Sequence, residues 1–392
     1  MLGALTSQLA IVGVAQSSYR SAGHSGRRLE DLIFETCARA LKDAGIARDQ
    51  VDSIAIAASD FVDGRCISSM LTANAAGAYL NDEIKTADEG SFALIAAALR
   101  LMTGHFQTSL VAAWSKPSES PYSEGQNLAS DPFYHRPFGL NHIIASALMA
   151  GAYRHRYPAV EEAAARVSVK NHTHGSSNPL LDGVHSVEID EVLASPVIAH
   201  PLRKLEIAPE ADGACALVLT TAERARDLDV RPVFLRGMGW CSESYYLGER
   251  DLWRFGALEA AARRAYEQAG IGDPAHDLDL VEVCDVTAYH ELLACEALGF
   301  CKPGEAGELA RSGFTAMGGK LPVNPSGGCL SAYPVSSAGL TRIAEACLQL
   351  QGRAEGRQVA GARTALAHGC TGYAGQSHSL FILSSEAQGD RE

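Results

Sequence analysis

The sequence predicts an α/β fold assembled from two duplicated halves. β-rich runs alternate with stretches of helical period along the 392-residue chain, a pattern that points to mixed or parallel sheets covered by helices. The order of elements then repeats. Ala40-Leu41-Lys42-Asp43-Ala44-Gly45-Ile46 leads to Val51-Asp52-Ser53-Ile54, and Ala265-Tyr266-Glu267-Gln268-Ala269-Gly270-Ile271 leads to Leu278-Asp279-Leu280-Val281. Each is a helix stopped at Ala-Gly-Ile, followed by a short polar loop and a strand entered through an aspartate. Strand, tight turn, helix and strand follow at 84–113 and again at 322–367, and a matching order over several elements marks an internal duplication. The third observation is the stretch 321–342, LPVNPSGGCLSAYPVSSAGLTR. Gly327 and Gly328 permit positive φ and close backbone approach, and Pro334 suits a first helical turn. Such a loop aims backbone N–H groups at an anion or a developing oxyanion in front of the helix. A plain strand–helix connection is the alternative.

Taken in order, residues 8–14 read as the first strand. Residues 29–44 put Leu32, Ile33, Cys37 and Leu41 on one helical face and stop at Gly45, a natural C-cap. Residues 51–58 form an Ile/Val strand, 84–87 a short strand, 90–102 a helix closed by Gly104, and 110–114 the next strand. Residues 117–138 are polar, contain proline and lack periodicity, so they read as a loop whose Phe133, Tyr134 and Phe138 favour an apolar group. Helical patches follow at 143–154 and 159–171, and the stretch after Tyr333 runs into a helix at 338–350. Asp212-Gly213 reads as a turn that opens a buried strand. The halves divide into 1–221, with a loop or cap region at 115–200, and 222–392.

Composition excludes some function classes. Hydrophobic residues at 47% and charged residues at 20% are an ordinary globular balance. A net charge of −13 argues against a nucleic-acid surface, which needs clustered Lys and Arg. No stretch reaches the roughly 18 uninterrupted apolar residues of a membrane span. The start, MLGALTSQLAIVGVAQ, lacks the basic opening and cleavage site of a signal peptide. Ten cysteines without a CxxC pair point to reduced, buried thiols in a cytoplasmic protein, and to no metal site.

Four segments carry a family resemblance: Asn324-Pro325-Ser326-Gly327-Gly328 with the Pro-containing turn and Ala-Gly helix after it; PLRKLEIAPEADGACALVLTT at 201–221; VEVCDVTAYHELLACEALGFCKPGEAG at 281–307; and AHGCTGYAG at 367–375. With these the chain resembles the thiolase superfamily over nearly its full length, in the thiolase-like branch near sterol-carrier-protein-X (lipid-transfer-protein type) thiolases. The resemblance implies a thiolase fold of two pseudo-symmetric halves in five layers, α-β-α-β-α, assembled as a homodimer. It also implies that a CoA thioester is bound as substrate, with no tightly bound cofactor.

The departures from the family carry as much information. Thiolases place a nucleophilic Cys before the first-half helix, in a Cys-x-Ser-Gly context. Here the segment reads Thr86-Ala87-Asp88-Glu89-Gly90-Ser91, and Ala87 at the Cys position cannot hold an acyl group. Cys66 lies upstream in a different segment. The family's His-Asp loop becomes Cys284-Asp285, and its Gly-His-Pro or Asn-Pro becomes Ala332-Tyr333-Pro334. Cys370-Thr371-Gly372 retains the CxG position, where thiolases use Cys as acid/base.

Steroid side-chain-cleaving aldolases are similar in lacking the nucleophile and in carrying Tyr in the corresponding loops, although they have Tyr where this chain has Cys284. The likeness implies retro-aldol cleavage: a base removes a hydroxyl proton, the C–C bond breaks, and an acid protonates the thioester enolate. It gives Tyr333 the role of base, whose ordinary pKa of about 10 the environment must lower or bypass. Cys370 becomes the acid. Cys284 and the Gly327–Gly328 backbone help form the enolate pocket; Asp285 and Tyr289 are further substrate-binding candidates, with Tyr289, five residues past Cys284, on this side of the loop or the other. His368, two residues before Cys370, is a second acid/base candidate or a satisfied structural histidine.

Two function classes follow from the resemblance. One is a carbon–carbon lyase acting on a 3-hydroxyacyl-CoA in lipid or steroid metabolism. The other is a non-catalytic or partner-dependent subunit of a thiolase or acyltransferase acting on a 3-ketoacyl-CoA. Several thiolase-like relatives need a small OB-fold, zinc-ribbon partner, which here must be a separate chain. Ala87 excludes self-contained thiolysis and leaves both classes open.

Overall fold

The computed structural model describes residues 8–21, 26–63, 67, 69–87, 89–120 and 122–387; the first seven residues and Cys66 lie outside that set. Strands β1 (Leu9–Gln16), β2 (Ser53–Ala57), β3 (Glu83–Thr86), β4 (Thr108–Ser115) and β5 (Ala211–Thr221) build the first sheet in the order β1-β5-β4-β2-β3. Strands β6 (Val233–Ser242), β7 (Leu280–Glu282), β8 (Thr364–Thr371) and β9 (Ser377–Ser384) build the second in the order β6-β9-β8-β7. The sheets meet where β1 runs antiparallel to β6, through Ala10↔Phe234 and Ile11↔Val233.

Helices fill three layers around these sheets. Helices α2 (Gly90–Met102) and α4 (Ala338–Leu350) lie between them, so that Leu94 and Ile343 share one core with Val111 and Phe381. Helix α1 (Leu29–Ala44) covers the outer face of the first sheet, with Leu32, Ile33 and Cys37 against Ile54 and Leu110. Helix α3 (Gly256–Ala269) and the helix Ala288–Ala297 cover the second, with Leu258 and Leu292 against Leu366 and Ile382. The five layers are α-β-α-β-α, as expected.

The duplication is visible bond by bond. Helix α1 ends at Gly45 (φ 64°) and α3 at Gly270 (φ 70°), both left-handed. The next isoleucine closes each helix identically, Ile46 N–H to Leu41 O and Ile271 N–H to Tyr266 O, both at 3.0 Å. Asp52 receives the N–H groups of Gln107 and Thr108, while Asp279 receives those of Arg363 and Thr364. In each half the aspartate therefore pins the start of the strand parallel to its own. Bulges recur at Ile11/Gly13 in β1 and Leu235/Gly237 in β6. There a side chain at either glycine would run into the backbone of the covering helix, at Ala40 or Ala265.

Two sequence expectations are corrected. Residues 117–138 are not a plain loop, since Tyr122–Ala129 is a helix and Arg136–Phe138 a turn of 3-10 helix. Tertiary bonds hold the first: Gln126 accepts from His142 N at 2.8 Å and donates to Tyr122 Oη at 2.7 Å. Asp212-Gly213 lies inside β5 instead of forming a turn. The Asp212 carboxylate accepts from Ser118 N and Oγ, and Gly213 leaves room for the Tyr19 ring. Among the described residues, no helix is long and apolar enough to cross a membrane.

Candidate active site

The loop 324–328 is built around buried polar groups. Asn324 takes a left-handed turn (φ 54°), its N–H bonds to Val281 O, and its Oδ1 accepts from Val283 N at 2.7 Å, so its amide extends the pairing beyond β7. Ser326 is gripped by Glu282, with N to Oε1 at 3.0 Å and Oγ to Oε2 at 2.7 Å. Arg342, reaching from α4, donates to both Glu282 Oε2 (2.7 Å) and Ser326 Oγ (2.5 Å).

Gly327 (φ 97°) and Gly328 (φ 65°) have the positive φ expected of them, and a side chain on Gly328 would collide with Asp285. Their N–H groups are taken inside the protein: Gly327 N bonds to Asn324 O and Gly328 N to Ser326 Oγ. The anion in front of this turn is the chain's own Asp285, which accepts from Cys329 N at 2.5 Å and from Asn171 Nδ2 at 2.7 Å. The two glycine N–H groups are thus spent on holding the loop, against the pocket-forming role expected of them.

Asn171 also donates to Glu291, which Lys170 pairs at 3.0 Å. Burial, then the nearby Glu291 carboxylate, pushes the Asp285 carboxyl up to about 7. Its folded pKa therefore exceeds the unfolded value of about 3.9. The stability this group contributes is full below that value and is lost as pH rises through about 7. Thermal unfolding of Asp285→Asn between pH 4.5 and 7.5 is expected to show a shallower fall with pH than the native chain. The difference should reach about 1.4 kcal/mol per pH unit where one proton is involved. Parallel curves would rule out Asp285 as the titrating group.

A cavity of about 290 Å³ opens beside this loop, walled by Glu89, Tyr122, Gln126, Tyr245, Tyr333 and Cys370 among others. Tyr333 is placed by backbone bonds to β5 and the residues before it, its N to Pro209 O at 2.8 Å and its O from Ala211 N at 2.9 Å. Arg250 pins the far wall, donating to Tyr373 O (2.6 Å) and Ala374 O (2.7 Å). Burial pushes the Tyr333 phenol well above its ordinary value, with Tyr122 adding to the shift. Burial likewise pushes the Cys370 thiol up to about 12, reinforced by Glu89. Both shifts favour the protonated form near neutral pH, so the surroundings of Tyr333 oppose the base role expected of it.

The other sequence candidates sit behind or away from the cavity. Cys284 lies beneath Tyr333 and Cys370 in one buried cluster, its sulfur 3.7 Å from that of Cys329. His368 Nδ1 accepts from Cys284 N at 3.3 Å, and its Nε2 meets His378 Nδ1 at 2.9 Å. Burial lowers His368 to about 3, so it is a neutral structural link from β8 to His378 of β9. Tyr289 packs in the core outside the second sheet, away from the cavity wall. Phe133, Tyr134 and Phe138 are exposed, and the segment's contribution to the wall comes from Tyr122, Gln126 and Ala129. The spacing of Tyr122 and Gln126, one helical turn apart, was the available signal for that wall.

Sequence reasoning missed Glu89. Ala87 is exposed, yet two residues on Glu89 is buried in the cavity wall. Its carboxylate accepts from Ser91 N at 3.0 Å, from Ser91 Oγ and, across the central layer, from Gly339 N at 2.6 Å.

Known proteins agree with this architecture. Residues 239–385 match the thiolase C-terminal domain-like family. An acetyl-CoA acetyltransferase of Methanothermobacter thermautotrophicus is 31% identical over 94% of this chain and 97% of its own. Sterol carrier protein 2 of Bos taurus is 29% identical over 93% of this chain and 70% of its own. The solved structure of the Ltp2-ChsH2(DUF35) aldolase is 25% identical and superposes with a TM-score of 0.82 over 99% of this chain and 100% of that one. Duplicated halves, two helices enclosed between the sheets and likeness to these relatives over at least 93% of this chain together make it a member of the thiolase superfamily, of the sterol-carrier-protein-2-like kind.

Proposed function

We propose that this chain binds an acyl-CoA and cleaves a C–C bond of a 3-hydroxyacyl-CoA by non-covalent retro-aldol chemistry. The observation that carries the reading is the content of the cavity. Among the described residues its one thiol is Cys370, held protonated, and the position of a first-half nucleophile is the exposed Ala87. Acyl transfer through a covalent thioester needs a thiolate there. Retro-aldol cleavage needs donors and a proton acceptor instead. The Tyr333 phenol donates to the thioester oxygen as negative charge builds on it. The Cys370 thiol delivers a proton to the enolate carbon, and Cys284 lies beneath both as packing. The likeness to a solved aldolase supports this reading.

The same solved structure pairs its Ltp2 with a DUF35 component, which favours a small OB-fold, zinc-ribbon partner completing the CoA site of a homodimer. A cytoplasmic setting is part of this reading, resting on the ten cysteines without a CxxC pair in the sequence. The acetyltransferase relative supports a second reading, a partner-dependent subunit acting on a 3-ketoacyl-CoA. A paired assay separates the two. Purified protein, with and without a co-expressed partner, is offered 3-hydroxyacyl-CoA esters with alkyl, aryl and ring substituents at C3, and separately 3-ketoacyl-CoA plus free CoA. Aldehyde or ketone release is the expected result. CoA-dependent thiolysis in its place would overturn the cleavage reading.

A further inference from the structure

We propose that Glu89 is the catalytic base of this cavity, its carboxylate taking the hydroxyl proton of a bound 3-hydroxyacyl thioester; the role rests on the cleavage reading above. The reaction needs an acceptor, and the groups expected to serve are poor ones. Tyr333 and Cys370 are pushed toward their protonated forms, while His368 of β8 and His378 of β9 are buried and bond to each other. Glu89 lines the cavity with Tyr333 and Cys370 and is only 2% exposed.

Its position is built from both halves of the molecule. Glu89 caps α2 through Ser91 N and also accepts from the start of α4 through Gly339 N, 250 positions away. Two helix N-termini thus aim partial positive charge at one carboxylate. The backbone has been cleared to admit it. A Cβ on Gly339 would stand 2.6 Å from its Oε1, and one on Gly369 2.7 Å from its Oε2. A cap alone is best made by Ser, Thr, Asp or Asn; the longer Glu spans both helices and presents to the cavity.

Burial raises this carboxyl to about 7 against the donors Ser91, Gly339 and Leu340. It is therefore ionised in an appreciable fraction near neutrality and basic enough to accept a proton. The titratable groups it faces are the Cys370 and Cys284 thiols, whose pKa values it raises, and the Tyr333 phenol across the cavity.

The proton inventory closes. Glu89 removes the C3 hydroxyl proton, the oxygen pair forms the C=O bond, and the C2–C3 bond pair becomes the thioester enolate. Cys370 protonates C2 and is left as thiolate. Glu89 then returns its proton to Cys370, directly or through cavity water, and both groups are reset.

The test compares native protein, Glu89→Gln and Ser91→Ala in carbonyl release from pH 5.5 to 9, with 3-hydroxyacyl-CoA binding and Tm measured in parallel. Glu89→Gln, close to isosteric, is expected to bind the thioester and to lose about 100-fold or more in kcat. It should also lose the acidic limb of the native profile. Ser91→Ala removes a donor to the charged carboxylate, so that limb should shift to higher pH while the fold is kept. A merely structural Glu89 would lower Tm without moving the limb. Native activity with Glu89→Gln within threefold of it, or an unmoved limb in Ser91→Ala, overturns the assignment to Glu89 alone. A native protein that releases no carbonyl overturns the cleavage reading and this inference with it.

Discussion

Tyr333→Phe is expected to reduce carbonyl release from a 3-hydroxyacyl-CoA by about 10²–10³ in kcat, the loss that follows removal of one preorganised oxyanion donor. The phenol is the polar atom that changes; the ring remains to pack against Val335, Val286 and the three cysteines of its cluster. The backbone bonds to Pro209 and Ala211 that place the residue are untouched by the substitution. The expected signature is therefore a fall in kcat with KM and Tm nearly unchanged, because the hydrogen bond strengthens only as charge develops. Single-turnover measurement of the released carbonyl checks this. Activity within threefold of the native protein would remove Tyr333 from the proposed chemistry.

The largest expected loss of stability comes from Arg342→Met. Arg342 and Glu282 are buried together, with side chains 5% and 0% exposed, and they share Ser326 Oγ between them. Removing the guanidinium strands a carboxylate in the central core, a change that costs about 3–5 kcal/mol. Burial already holds the Glu282 carboxyl above its ordinary value, even with Arg342 opposing that shift. Denaturation of Arg342→Met and of the double variant Arg342→Met/Glu282→Leu tests the point. The double variant should recover much of the loss, because a buried pair replaced by packed apolar groups is often neutral. A single variant within 1 kcal/mol of the native protein would show that water reaches Glu282.

The elements legible in the sequence are those whose signal is local. Helix α1 has an apolar stripe and a glycine stop, and its predicted bounds of 29–44 coincide with those observed. The same holds for α2 at 90–102 and α4 at 338–350. Helix Tyr122–Ala129 lacks an apolar stripe, leaving only the one-turn spacing of Tyr122 and Gln126 as a local signal, and its bond from His142 N to Gln126 joins residues brought together by the fold. The site divides in the same way. Tyr333 and Cys370 sit in motifs that could be matched, and they do share the cavity wall. Glu89 lies two residues past the position of the missing cysteine, and its placement depends on a helix start far along the chain. His368 shows the reverse: its spacing from Cys370 put it on the same face of a strand, but its ring is committed to Cys284 N and His378.

The meeting of the two central helices also constrains how the halves could have diverged. Helix α2 is capped by the Glu89 side chain, whereas its counterpart α4 has Ser337 at the N-cap position with no cap bond, the hydroxyl turning back to Pro334 O at 3.0 Å. In a strictly twofold ancestor of identical halves, a glutamate at one cap would face its own twin across the axis, and two buried carboxylates at close range repel. Tandem fusion removes that restriction, because each copy then mutates alone. A single acidic cap is a state open to the fused chain and closed to a symmetric pair, so fusion lets one carboxylate stand where identical halves would have to bury two.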